Sequence, residues 1–199
     1  QRKEVERNGN TVTRLADHVG QFPAVMIAPD DVSLVQEGSE ERRRFLDVTL
    51  SQMSAEYLQN LLVYNALIKQ RNALLKSFGE QRRFDAVLLE SFDRQLPAPA
   101  QVIFEHRQRF VTALQPLFAE LYAVIAESRE TATVAYQSDL IETPDLAALL
   151  TANQERDRYL ERTSTGPHRD DLELLLDGQP LKRFASQGQL KSFLLALRL

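Results

Sequence analysis

Ser186-Gln187-Gly188-Gln189 is the stretch whose residue types best suit chemistry. The sequence around it reads as a strand giving way to a helix. A hydroxyl, a glycine amide and the first free N–H groups of that helix would then converge on one point, which favours an anion such as a phosphate. The same four residues also suit an ordinary helix cap, with Ser186 as N-cap and Gly188 incidental. A second cluster, Gly166-Pro167-His168-Arg169-Asp170-Asp171, holds an imidazole and two carboxylates that could ligate a divalent metal. Its offsets supply no third well-placed ligand, so a rigid turn with an Asp–Arg pair is the plainer expectation and no metal is expected. A third group is cationic. Arg42-Arg43-Arg44, Lys69, Arg71, Lys76, Arg82 and Arg83 could meet phosphates, although Glu40, four residues before Arg44, also suits a solvated helix face. Aromatic residues of the kind that stack single-stranded bases are not interleaved among them.

Other chemistries lack their residues. None of the seven glycines forms a Gly-x-x-x-x-Gly-Lys-[Ser/Thr] cradle, and there is no nucleophile elbow, zinc-protease helix or triad. Leu174-Leu175-Leu176-Asp177 imitates an apolar strand ending in a magnesium ligand, but the following Gly178 makes a hairpin turn the better reading. With no cysteine, disulfides and thiolate sites are excluded.

The elements that would position these groups follow from periodicity. Asn8-Gly9 predicts a hairpin between residues 3–6 and 11–13; Thr13 caps a short helix to Gly20; residues 22–28 read as a buried strand. From Glu40 to Phe78 apolar residues fall three or four apart, predicting two helices meeting near Met53, with Ser51 or Ser54 as cap. Residues 84–128 carry a second stripe that should pack antiparallel on the first, broken at Pro97-Ala98-Pro99 and bent at Pro116. Residues 132–136 read as a strand, Thr143 as the cap of a helix reaching Leu160, and residues 162–165, 171–176 and 181–184 as strands. A final helix from Gln187 reaches the end of the chain, where it looks truncated. At 199 residues, with 43% hydrophobic and 26% charged residues and a net charge of −4, this is ordinary globular composition, and a cytoplasmic location is the default.

In their order, these pieces resemble the RecF family, bacterial DNA replication and repair ATPases with an ABC-type head related to SMC proteins. Pro29-Asp30, Leu34-Val35, Arg42-Arg43 and Phe45-Leu46-Asp47 resemble a first family block. Tyr64, Lys69-Gln70-Arg71-Asn72 and Leu74-Leu75-Lys76 resemble a second; the 166–171 cluster and Ser186-Gln187-Gly188-Gln189-Leu190-Lys191 resemble two more. Glu37 stands where the family carries glycine, with Gly38 displaced by one.

The resemblance implies an internal portion of an α/β head, α+β in this fragment, with an inserted antiparallel helical arm. Residues 1–39 would belong to the head, 40–130 to the arm and 131–199 to the head again. The P-loop would precede the chain and the Mg²⁺-binding carboxylates would follow it. Ser186, Gln187, Gly188 and Gln189 would meet, in trans, the γ-phosphate of ATP held by a second copy; Arg43, Lys69, Arg71 and Lys76 would contact DNA. It further implies ATP and Mg²⁺ in the complete protein, an ATP-dependent homodimer, RecO and RecR as partners, and a role in gap repair and the SOS response. The rival expectations are a non-catalytic helical adapter and a metal hydrolase built on His168, Asp170 and Asp171.

Overall fold

The computed structural model describes Glu6, Arg7, Asn10, Thr11, Ala16 and residues 18–24 and 32–199. Strands β1 (Glu6–Arg7) and β2 (Asn10–Thr11) pair antiparallel, Glu6 opposite Thr11 and Arg7 opposite Asn10, in keeping with the expected hairpin; residues 8 and 9 lie outside the described ones. The helix expected from Thr13 falls mostly outside the described residues. So does most of the strand expected over 22–28; its described members Phe22, Pro23 and Ala24 are exposed and not in a strand.

Two long helices dominate the middle of the chain. After the single turn α1 (Ser33–Gln36) come α2 (Ser39–Met53) and α3 (Ala55–Gln81). Ser54 leaves the helical conformation between them, and its hydroxyl oxygen accepts the Tyr57 N–H at 3.1 Å. The expected restart near Met53 is therefore a serine cap. Next stand α4 (Ala86–Asp93) and α5 (Pro97–Ile125), the latter opening on Pro97, where a missing N–H costs nothing, and continuing through Pro116. Ser54 near the start of α3 meets His106 of α5, whereas Arg71 further along meets Asp93 just before α5. The stripes thus run antiparallel.

The sheet lies at the other end of α5. Strand β3 (Ala132–Gln137) pairs antiparallel with β4 (Asp171–Leu176), from Ala132 opposite Leu176 to Gln137 opposite Asp171, and β4 pairs with the edge strand β5 (Gln179–Pro180). The turn between β4 and β5 is Asp177-Gly178, both at positive φ (48° and 73°), and the Asp177 carboxylate accepts the Thr131 N–H at 2.8 Å. Asp177 is a hairpin residue, as its glycine neighbour foretold. Helices α6 (Asp139–Glu142), α7 (Leu146–Ala152) and α8 (Gln154–Leu160) precede β4; α9 (Leu181–Phe184) and α10 (Gln187–Arg198) follow it. One apolar core runs from Leu46 and Tyr64 in the helices through Val134 and Leu174 in the sheet to Phe193 in α10, whose ring lies 4.7 Å from that of Phe118.

The architecture is therefore mostly helical with a small three-stranded antiparallel sheet. Four local expectations change. Residues 181–184 form a helical turn, because Pro180 cannot donate to a ladder and ends the edge strand, after which Leu181 turns into the core. Residues 162–165 are not a strand. Their polar groups are met by side chains: the Thr163 N–H donates to Asn72 and the Ser164 N–H to Asp157. Thr143 closes α6 and Asp145 is the cap of α7, its carboxylate accepting from the Ala147 and Ala148 N–H groups. The helix expected to reach Leu160 is two, divided at Asn153.

Candidate functional site

Helix α9, not a strand, leads into Ser186. Ser186, Gln187 and Gly188 are exposed and Gln189 half-buried, so the turn faces outward. Ser186 and Gln189 close a capping box: the Ser186 hydroxyl oxygen accepts the Gln189 N–H at 3.3 Å, and Gln189 Oε1 accepts the Ser186 N–H at 2.7 Å. Gln189 Nε2 donates to Glu130 at 2.6 Å, and Glu130 also takes the Tyr122 hydroxyl at 2.9 Å. The Gln189 side chain therefore braces the turn against the end of α5, leaving its rigid face to others. What remains outward is the Ser186 hydroxyl proton, the side chain of Gln187, and the N–H groups of Gln187 and Gly188, which the first turn of a helix leaves without intrahelical partners.

Gly188 sharpens the point. A Cβ built there would meet nothing of the chain closer than the Ser186 hydroxyl oxygen at 4.0 Å, and the residue has no positive φ. Glycine in the first turns of a helix is conformationally costly, and neither packing nor backbone geometry asks for it here. The surface it leaves bare is backbone that an outside group can approach closely.

His168, Asp170 and Asp171 do not converge on a common point. The Thr163 carbonyl, 3.1 Å from His168 Nε2, can only accept, so Nε2 carries the proton and Nδ1 accepts from the Tyr64 hydroxyl at 2.8 Å. Burial lowers the His168 pKa from 6.5 to about 4, keeping the ring neutral. Asp171 takes a two-pronged bond from Arg42 at 2.6 and 2.9 Å. Asp170 accepts from Arg107 Nη1 at 2.8 Å and from the Tyr136 hydroxyl. The expected local Asp–Arg pair is thus two long-range pairs. Among the described residues no three His, Asp or Glu side chains are arranged to hold a metal.

Behind this loop lies a polar network. Arg107, buried on α5, also donates to Asp47 of α2 at 2.8 Å, to the Tyr57 hydroxyl at 3.1 Å and to the Pro167 carbonyl at 2.7 Å; the Tyr57 hydroxyl in turn donates to Asp47 at 2.5 Å. Burial by itself would lower the Arg107 pKa, but negative charge at Asp47 and Asp170 outweighs it and holds the cation above its ordinary range. For Asp170 burial raises the pKa, and Arg107 and Tyr136 work against that rise.

The chain is 43% identical over 199 residues to the DNA replication and repair protein RecF of Flavobacterium johnsoniae, and 43% identical over 199 residues to that of Parabacteroides distasonis. All of this chain is covered in both matches. The chain belongs to the RecF family. It spans about half the length of these curated relatives, 55% and 53%. A solved structure described as the recombination mediator protein RecF with ATP superimposes with a TM-score of 0.88 at 28% identity, over 99% of this chain and 54% of that one. A second, described as RecF with ATPγS, gives 0.87 over 96% and 53%. No family model matches the chain.

The cations of α2 and α3 are unevenly placed. Lys69 and Lys76 are exposed, Lys76 lying 3.9 Å from Glu80. Arg43 is half-buried and donates to the Asp170 carbonyl at 2.8 Å. Arg71 departs from its expected role: it is 0% exposed, and its guanidinium is held by Asp93 at 2.6 Å, Asp157 at 2.7 Å and Thr163 at 2.9 Å. A charge so enclosed presents nothing to DNA at the surface; it ties α3 to the segment after α8. Sequence reasoning missed Arg107, Asp47, Tyr57 and Asp157 because the arginines they pair with, or the partners of Arg107 itself, lie 50 to 86 residues away along the chain. The one available signal was an arginine, Arg107, on the apolar stripe of α5. Among the described residues no helix is long and apolar enough to cross a membrane.

Proposed function

We propose that this chain is the helical lobe and signature-bearing portion of a RecF-type, ATP-controlled DNA-binding protein acting in replication and recombinational gap repair. Residues 40–130 form the arm, and residues 1–39 and 131–199 belong to the ATPase head. In the complete protein, Ser186, Gln187 and Gly188 close over the γ-phosphate of ATP held by a second copy, while Gln189 holds the turn in shape. ATP thereby draws two subunits together, with Mg²⁺ and the P-loop supplied by parts of the protein outside this chain. The exposed arm residues Lys69 and Lys76, with Arg43, offer charge to DNA, and RecO and RecR are the expected partners by family likeness.

The observation that carries this reading is the outward turn with its bare glycine. It offers preorganised donors of the kind that stabilise a phosphoryl oxygen, and a braced cap that need not reorganise when the phosphate arrives. Likeness to solved RecF structures described with ATP and ATPγS supports the choice of ligand. The turn contains no lysine and no carboxylate, so it can complete a triphosphate site without constituting one.

The test is Ser186→Arg in the full-length protein, followed by sedimentation velocity with and without ATPγS. The expected result is loss of ATPγS-dependent association with nucleotide binding by the single subunit retained. Association undiminished in this variant would overturn the assignment.

A further inference from the structure

Where α3 ends, the fold brings two of the cations noted in the sequence, Arg82 and Arg83, into a groove that helix periodicity did not announce. The end of α3 brings Phe78, Arg82 and Arg83, the connection to α4 brings Phe84, and α8 brings Arg158 and Tyr159, together enclosing about 370 Å³ of open space. The Phe78 and Phe84 rings meet edge to face at 5.3 Å, and the Arg158 guanidinium lies 4.1 Å above Phe84 while donating to Glu155 at 2.7 Å. Arg82 occupies the left-handed region at φ 50°, its N–H closing on the Phe78 and Gly79 carbonyls, so the corner is sharply fixed.

Two features of this groove are unspent. Arg82 and Arg83 are exposed, and among the described residues neither has an ion-pair partner; of the nearby carboxylates Glu155 is engaged on Arg158 and Asp85 in capping α4, while that of Glu161 lies against Gly79 on the groove wall. Tyr159 is 88% exposed, an aromatic face held in water at the rim. Unpaired guanidinium groups beside a free aromatic ring match a nucleotide in both of its chemistries: phosphate for the arginines, base for the ring. An acidic peptide would satisfy the arginines but leave the ring unexplained.

We propose that this groove at the far end of the arm binds single-stranded nucleic acid without sequence preference, with Arg82 and Arg83 on the backbone and Tyr159 stacked on a base. The inference deepens the DNA-binding reading above and rests on it. It puts a single-strand contact at the junction of α3, α4 and α8, distinct from Lys69, Lys76 and the signature turn.

The experiment uses the full-length protein with a fluorescent oligothymidylate of about twenty nucleotides, the matching duplex, and an oligoglutamate peptide as competitor. Arg82→Gln with Arg83→Gln should weaken single-strand binding about tenfold at moderate salt and reduce the log–log salt slope by about 1.4, the value for two single-strand phosphates left unneutralised. Tyr159→Ala should weaken single-strand binding about fivefold or more with the salt slope unchanged, because stacking releases no counterions. In both variants duplex binding and ATPγS-dependent association should stay at the parent level, which keeps failure here separate from failure of the broader reading. Single-strand affinity unchanged in both variants overturns the proposal, as does equal loss for duplex and single strand. Oligoglutamate that displaces the oligonucleotide from the parent but not from the double arginine variant would make the groove an acidic-peptide site, overturning it too. A parent protein that binds neither nucleic acid would remove the broader reading together with this one.

Discussion

Arg107 Nη1 lies 2.8 Å from the Asp170 carboxylate, joining the middle of α5 to the loop that launches β4, with both side chains out of water. Its Nη2 lies 2.8 Å from Asp47 of α2. One guanidinium therefore fixes three segments far apart in sequence, and removing it leaves the Asp47 and Asp170 carboxylates without their shared cation. Arg107→Met should lower the free energy of unfolding by about 3–5 kcal/mol, the usual cost of breaking a buried pair from one side. Urea denaturation with a global fit checks it. Arg107→Met combined with Asp170→Asn and Asp47→Asn should recover part of the loss, since it leaves fewer charges unpaired.

His168 predicts a pH dependence with a definite sign. Its pKa falls from 6.5 in the unfolded chain to about 4 in the fold, so between those values the unfolded state binds more protons and stability rises with pH. The contribution is fully present above about pH 6.5 and is lost progressively as pH falls toward 4, amounting to about 3 kcal/mol at most. Denaturation midpoints between pH 7 and 4.5 should fall more steeply for the parent than for His168→Gln, which cannot take up the proton.

Gly188→Ala separates stability from function. The added methyl meets nothing closer than 4.0 Å, so the variant should be more stable than the parent by about 0.5–1 kcal/mol in thermal denaturation. In the full-length protein it should nonetheless weaken ATPγS-dependent association, because the methyl occupies the space left for the phosphate. A variant more stable with association intact would mean the glycine serves no ligand.

The cations of α3 should divide by burial. Arg71→Ala should cost several kcal/mol of stability, about 3–5 by the same reasoning as for Arg107, by stranding Asp93 and Asp157. Lys69→Glu with Lys76→Glu should leave the melting temperature within a degree or two while reducing DNA affinity and its salt dependence. Fluorescence anisotropy over a salt series, read beside thermal melts, distinguishes the two outcomes.

This chain should not hydrolyse ATP when purified alone. The turn at Ser186 carries donors and no general base, so phosphate release above a Ser186→Arg control would contradict the proposed division of labour.

What the sequence determined by itself is local or periodic. The break at Ser54, the cap at Ser186, the two apolar stripes and the β4 strand with its Asp177-Gly178 turn are all legible, because each is set by spacing within one helical turn, repeated along a helix, or within one hairpin. Tertiary structure decided what each charge is for. Arg71 and Lys69 stand two residues apart on α3, yet the helix turns one into the core onto Asp157 and the other into water, and linear spacing cannot say which face acquires a distant carboxylate. His168 became a neutral, half-buried imidazole hydrogen-bonded at both ring nitrogens because Tyr64 arrived from 104 residues away. Residues 181–184 likewise have the composition of a strand, but a strand needs a partner edge, and Pro180 had already closed the one available. Capping and periodicity are written within a few residues; burial and pairing belong to whatever the folded chain brings alongside.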